Sequence, residues 1–167
     1  MRKAITALAV LALGLGVIGT AAAASDTTSH DVTIAVPTID LIAVSGTPGT
    51  LTIAEPTALS DPGGEPMYSN EDTSCTLLWL TNGTGRKVTA ELDVGLPTGL
   101  KLLATVTPTA GKGTSQGEVE LSDSPQEVVT GINRKWEWNA TISYKASATE
   151  EAEPTTETVT VTYTITN

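Results

Sequence analysis

The residue types that could carry chemistry in this chain are few. The 167 residues include one histidine, His30, and one cysteine, Cys75. A Ser–His–Asp triad needs a histidine beside its nucleophile, and zinc sites take several His or Cys ligands. The count therefore excludes a histidine-based triad and a multi-histidine metal site. A single cysteine also means that no disulfide can form within the chain, so packing must hold the fold together.

Carboxylates are plentiful, but their positions favour solvation over catalysis. A glycosidase needs two acids that converge in a cleft, whereas the acids here fall mostly in predicted loops. Calcium binding would require regularly spaced oxygen ligands, and the acidic clusters at 70–72 and 150–153 lack that spacing. Solvated charge explains both clusters. We therefore predict no catalytic residues, no metal site and no cofactor, so the chain is not expected to be an enzyme.

The tryptophans are the remaining candidates for a binding site. Trp136 and Trp138 lie two residues apart, so a regular strand places both on one face, where they could stack a sugar ring. The same face continues through Ala140, Ile142 and Tyr144, which favours burial. We predict that Trp136 and Trp138 belong to the core. A glycan-binding platform that uses Trp79, Trp136 or Trp138 remains the alternative.

Cys75 alternates with Leu77 and with Trp79. Three apolar side chains at this spacing share one face of a strand. The pattern predicts that they are buried together and that the thiol is inert, because no basic neighbour is adjacent to activate it.

The first residues predict export. Arg2 and Lys3 precede an apolar run over 4–18, and Ala22, Ala23 and Ala24 then supply the small residues that a signal peptidase accepts. We predict a signal peptide at 1–24 and a secreted or cell-surface protein without a transmembrane anchor after cleavage. Without Arg2 and Lys3, seven basic residues stand against 19 acidic ones, a net charge of −12. This charge argues against nucleic acid as a partner.

Threonine and short alternating runs dominate the rest of the chain. The 143 residues after Ala24 include 28 threonines, which favour strands over helices. Alternation of apolar and polar residues predicts strands at 32–36, 39–44, 50–54, 75–80, 86–94, 99–106, 118–121, 127–129, 136–144 and 159–165.

The predicted fold is all-β, an antiparallel two-sheet Greek-key (immunoglobulin-like) sandwich of about eight or nine strands over residues 37–167. A turn at 82–85 predicts a hairpin between its flanking strands, and the last two strands are expected to pair with each other. Residues 55–74 are predicted to form a long connection.

The stretch from Val32 to Gly46 resembles the opening of colonisation-type fimbrial subunits of the alpha chaperone–usher class. It consists of an alternating strand with Val32, Ile34 and Val36, then Pro37, then a second strand that begins Ile39-Asp40-Leu41. The resemblance implies a sandwich subunit whose first strand leaves its own subunit and completes the next one.

The functional expectation is a secreted or surface structural subunit. We expect it to self-associate into a filament, a pilus or a matrix, with residues 25–36 as a strand that is either donated to a neighbouring copy or paired within its own domain. The alternative function is a glycan-binding adhesion module.

Overall fold

The computed structural model describes residues 26–54 and 67–167. The described residues form ten strands and no helix. The strands are β1 (Asp40–Ser45), β2 (Met67–Tyr68), β3 (Asp72–Thr81), β4 (Arg86–Leu92), β5 (Leu100–Thr107), β6 (Thr114–Ser115), β7 (Glu118–Leu121), β8 (Gln126–Ile132), β9 (Trp136–Ala148) and β10 (Val161–Thr166).

The strands form two antiparallel sheets. The first sheet has the order β1-β3-β9-β5-β7, and β2 pairs with β9 beyond the start of β3. The second sheet has the order β10-β4-β8-β6. This arrangement confirms the predicted all-β sandwich of two antiparallel sheets. The count of ten strands exceeds the predicted eight or nine because it includes β2 and β6, which have only two residues each.

Connectivity between the strands differs from the sequence prediction. From β3 to β10, each strand lies in the opposite sheet from the one before it. The turn at 82–85 therefore joins two sheets and does not close a hairpin, and β10 pairs with β4 instead of β9. Both predictions of local pairing were wrong, because alternation reports which side chains face the core but not which strand lies alongside.

The core lies between the sheets and follows the predicted alternation closely. Cys75, Leu77 and Trp79 of β3 are all buried, as predicted. Val88, Ala90 and Leu92 of β4 face them from the second sheet and are buried as well. Thr162 and Thr164 of β10 are exposed to solvent. Their hydroxyl groups therefore lie on the polar face of an ordinary half-buried strand.

The compact unit that contains the sandwich is Val36–Asn167. Residues 26–39 lie in no strand of the described chain, although alternation predicts one at 32–36. The predicted strand at 50–54 is reduced to a single bridge between Ile53 and Ser69. Most of the predicted 55–74 connection lies outside the described residues, and its last part forms β2 and the start of β3.

Candidate functional site

An open groove lies on the side of the sandwich where β1 and β10, the edge strands of the two sheets, approach each other. Its volume is about 910 Å³. The base is formed by core side chains of both sheets: Cys75, Leu102, Tyr144 and Tyr163. One wall is the loop after β1, and the other is the segment that leads into β10. The groove therefore reaches an apolar core that the two sheets do not fully cover.

The strand beside this groove has one unpaired edge. β10 pairs with β4 from Val161↔Leu92 to Thr166↔Lys87 and has no strand on its other side within the described chain. An edge strand presents a row of backbone donors and acceptors to any extended segment that lies against it. The groove and the edge of β10 together have the features of a site for strand addition.

The base of the groove is uncharged. The hydroxyl oxygens of Tyr144 and Tyr163 lie 2.9 Å apart, so one phenol donates a hydrogen bond to the other across the two sheets. Burial raises the pKa of both side chains above the ordinary tyrosine value. Both phenols therefore stay neutral at physiological pH, and a ligand for this groove must be largely apolar on the side that it presents.

The loop that forms the first wall is held by Asp72. Its carboxylate accepts hydrogen bonds from the N–H of Gly49 at 2.9 Å and from the N–H and hydroxyl of Ser74. These bonds, the Ser74 hydroxyl first, lower the pKa of Asp72. Gly46 starts the loop with φ +94°, and a Cβ there would lie 2.4 Å from the carbonyl oxygen of Ser74. Only glycine fits this turn.

The second surface feature is a pair of exposed tryptophans. Trp136 is 50% exposed and Trp138 is 61% exposed, whereas Glu137 between them is only 3% exposed. The indole ring centroids are 5.7 Å apart with the planes tilted by 53°. The prediction that these two side chains belong to the core was therefore wrong.

A β-bulge explains the reversal. Leu77 pairs with Ala140 and Trp79 pairs with Glu137, so β9 has one more residue than β3 over this interval. Trp138 and the following Asn139 are both exposed, after which the buried alternation resumes. One inserted residue exchanges the two faces of everything on its far side.

The carboxylate of Glu137 stabilises the bulge. Its oxygens accept hydrogen bonds from the backbone N–H groups of Trp138, Asn139 and Thr109 and from the hydroxyl of Thr109, at 2.7–3.0 Å. Burial by itself would raise the pKa of Glu137, but these four bonds outweigh it and the pKa lies below the ordinary value. The charged, buried side chain thus connects β9 to the turn that follows β5.

The other candidate residues are placed as follows. Trp79 is 3% exposed and is not available to a sugar. Val32, Ile34 and Val36 are 71%, 83% and 75% exposed. Within the described ranges, no three His, Cys, Asp or Glu side chains meet in a group that could hold a metal ion. None of the described residues forms a helix long and apolar enough to cross a membrane.

Neither Lys112 nor Glu137 could be recognised from the sequence as part of this surface. Lys112 comes from a turn far from β9 in sequence, so nothing local indicates its contact with Trp136. The polar context Arg134-Lys135-Trp136-Glu137-Trp138 was the available signal, because charged residues before and between two aromatic residues are unusual for a buried strand.

Comparisons of the chain with protein-family models, with curated proteins and with solved structures found no match.

Proposed function

We propose that this chain is a non-enzymatic structural subunit, exported to the cell surface or beyond it, that assembles with copies of itself into a filament or matrix by strand donation. In this proposal residues 25–36 of one copy occupy the groove beside β10 of the next. One observation carries it: an exposed, alternating apolar segment without a strand partner in the described chain coexists with a groove that has an apolar base and lies beside a free strand edge.

The chemistry of the segment matches that of the groove. In an extended segment Val32, Ile34 and Val36 share one face, while Thr33 and Ala35 lie on the other. The apolar row can fill the groove, and the backbone can pair with the free edge of β10. Full burial of an aliphatic side chain contributes roughly 1.5–3 kcal/mol, so the three residues add to the stabilisation that backbone pairing with β10 would supply.

The residues after the segment are tied to the sandwich. The side-chain amide of Asn82 donates to the carbonyl of Pro37 at 2.7 Å, and its oxygen accepts from the N–H of Ile39 at 2.9 Å. Pro37 has no N–H to offer a strand ladder, so pairing is naturally interrupted there. Residues 37–39 are thus fixed to the sandwich, and Pro37 interrupts strand pairing at the same place. This arrangement suits a preceding segment that pairs outside its own domain.

The predicted signal peptide supports export. Sequencing the N-terminus of the exported protein tests export, and the expected first residue is Ser25. An unprocessed N-terminus would contradict the export prediction.

The alternative to donation is an intramolecular arrangement, in which residues 32–36 pair within their own subunit.

A deletion tests donation directly. We expect the exported form, residues 25–167, to form oligomers or filaments in sedimentation and electron microscopy, and the form without 25–36 to remain monomeric. Ile34→Asp should abolish assembly, because it places a charge in the apolar groove. Thr33→Asp is the matched control, since its side chain lies on the opposite face. Assembly that survives the deletion, or equal effects of both substitutions, would overturn donation.

Cys75 provides an internal reporter, because it lies in the base of the groove and is the single thiol of the chain. We expect it to react slowly with a maleimide in the assembled protein and faster in the deletion variant. A peptide with residues 30–37 should slow the reaction again, whereas the same peptide with Ile34→Asp should not. Labelling that is measurable in the deletion variant and is not slowed by the unaltered peptide would show that the segment does not bind there.

A further inference from the structure

We propose that Trp136, Trp138 and Lys112 form a binding site for an acidic polysaccharide, an activity separate from assembly. The site combines two exposed aromatic rings with Lys112, whose ammonium contacts one of them, and with two further basic residues that directly precede Trp136 in the chain; none of these three cations has an acidic partner among the described residues.

The aromatic part of the site has the chemistry of a sugar platform. The C–H face of a pyranose ring is apolar and packs against an indole face, while its hydroxyl groups stay in water. Two large aromatic side chains that are each at least half exposed are unusual on a soluble domain and mark a surface used for contact. The planes of the two rings are tilted by 53°, so the rings are oriented toward different parts of an extended polymer.

This platform is rigid. The bulge that turns both rings outward is fixed by the buried carboxylate of Glu137, which joins β9 to the turn after β5 through Thr109. Lys112 belongs to the same turn, and its ammonium lies 4.1 Å from the centroid of the Trp136 ring. A ligand therefore meets preorganised groups and loses little affinity to ordering them.

The charge pattern specifies an acidic ligand. Of the seven basic residues after Ala24, four form ion pairs: Arg86 with Asp40, Lys87 with Glu127, Lys101 with Glu120 and Lys145 with Glu118. The other three are Lys112, Arg134 and Lys135, and none of them has an ion-pair partner in the described ranges. Lys112 contacts Trp136, and Arg134 and Lys135 directly precede Trp136 in the chain.

In a chain of net charge −10, the three basic residues without an ion-pair partner in the described ranges are thus Lys112, which contacts Trp136, and the two residues that directly precede Trp136. A polymer that carries one carboxylate or sulfate on some of its sugar rings matches both parts of the site. Single-stranded nucleic acid also combines rings with anions. It is disfavoured because the described surface has no basic groove that would follow a phosphate backbone, and because an acidic chain repels dense phosphate charge.

The test is titration of the exported chain, residues 25–167, with two matched pairs of polymers. Polygalacturonate is compared with its methyl-esterified form, and dextran sulfate is compared with dextran. We expect saturable quenching of tryptophan emission by one or both acidic polymers, with affinity at least tenfold lower for the neutral partner and falling with salt. The two pairs separate carboxylate from sulfate as the recognised anion.

The variants locate the site. Trp136→Ala and Trp138→Ala should each reduce affinity at least tenfold, and Lys112→Gln several-fold. Lys101→Gln is the matched control, because Lys101 is an exposed cation paired with Glu120, and it should bind as the unaltered chain does. Ile34→Asp, the assembly-defective variant, should also bind normally, which separates this proposal from strand donation. Circular dichroism confirms that each variant is folded.

Four outcomes would overturn the proposal. They are the absence of binding to both acidic polymers, equal affinity for the neutral partners, tighter binding of an oligothymidylate, and unchanged affinity in both tryptophan variants. Loss of self-association in Trp136→Ala without any polysaccharide effect would instead assign the surface to a second copy of the chain.

Discussion

At position 137 a carboxylate accepts backbone hydrogen bonds that the carbonyl groups of a neighbouring strand would accept in a regular ladder. A bulged strand leaves backbone N–H groups without their regular ladder partners, and a buried N–H that makes no hydrogen bond is costly. Glu137 accepts from two such groups on its own strand and from one in the turn after β5. A single acidic residue thus determines that Trp136 and Trp138 face solvent.

We predict that Glu137→Ala lowers the free energy of unfolding by about 3 kcal/mol, since hydrogen bonds to a charged group contribute roughly 1.5–3 kcal/mol each. Glu137→Gln should cost less, because its amide oxygen can still accept from Trp138 and Asn139, while its amide nitrogen faces the N–H of Thr109. Urea denaturation of the three proteins at pH 7 measures both effects. A loss below 0.5 kcal/mol for the alanine variant would contradict this role.

The same residue predicts a pH dependence. Because the folded-state pKa of Glu137 is lower than its unfolded value, the carboxylate stabilises the fold above its ordinary pKa of about 4.3, and this stabilisation is lost as the pH falls toward the folded value. The difference in unfolding free energy between the unaltered chain and Glu137→Gln should therefore shrink as the pH falls below about 5. A constant difference would show that the carboxylate is not held in its charged form.

At the scale of elements, one ion pair connects the two sheets at the edge. Asp40 of β1 pairs with Arg86 of β4 at 2.9 Å, and a second contact from Nε of Arg86 lies at 3.2 Å. Thr81 of β3 donates its hydroxyl to the same carboxylate at 2.6 Å. These side chains are largely shielded from water. The contacts fix β1 in place at the end opposite the Gly46 turn, so that the groove keeps one stable wall.

We predict that Asp40→Ala destabilises the fold by about 2 kcal/mol, because it leaves a partly buried guanidinium without its carboxylate. Lys101→Ala is the control: its partner Glu120 is exposed, and surface pairs contribute roughly 0–1 kcal/mol. Thermal unfolding of both variants measures the difference. Equal shifts in the midpoint would mean that the Asp40 pair contributes no more than an ordinary surface pair.

At the scale of the whole molecule, the proposed assembly can be converted into a closed monomer. β10 ends at Thr166, one residue before the last residue of the sequence, and its free edge borders the groove. A copy of residues 30–36 attached after Asn167 through a short glycine-rich turn could fold back antiparallel to β10. Such a chain would supply its own additional strand.

We predict that residues 37–167 with this added segment are monomeric and have a higher thermal midpoint than residues 37–167 alone, because three aliphatic side chains and a free strand edge become buried. A version with threonine in place of the three aliphatic residues is the control and should show no increase. Sedimentation and thermal unfolding measure both properties. Equal midpoints for the two versions would argue against the groove as the acceptor.

The all-β class and the core were predictable because they depend on local periodicity. Cys75, Leu77 and Trp79 are buried as their alternation indicates, and the threonines of β10 face outward. Partner choice was not predictable. A strand offers the same backbone groups to any neighbour, so nothing local to 82–85 distinguishes a hairpin from a connection between sheets.

By itself, then, the sequence determined strand content and the buried face of each regular strand, since both follow from propensity and from a period of two residues. The tertiary structure decided the pairing of β10 with β4, the groove that this pairing leaves, and the exposure of Trp136 and Trp138. These features depend on contacts between distant residues: the bulge needs Thr109 beside Glu137, and the groove needs two edge strands that are far apart in the chain. An alternating pattern contains no information about such contacts. A bulge exchanges the buried and exposed faces of a strand, while the sequence on either side of it still alternates.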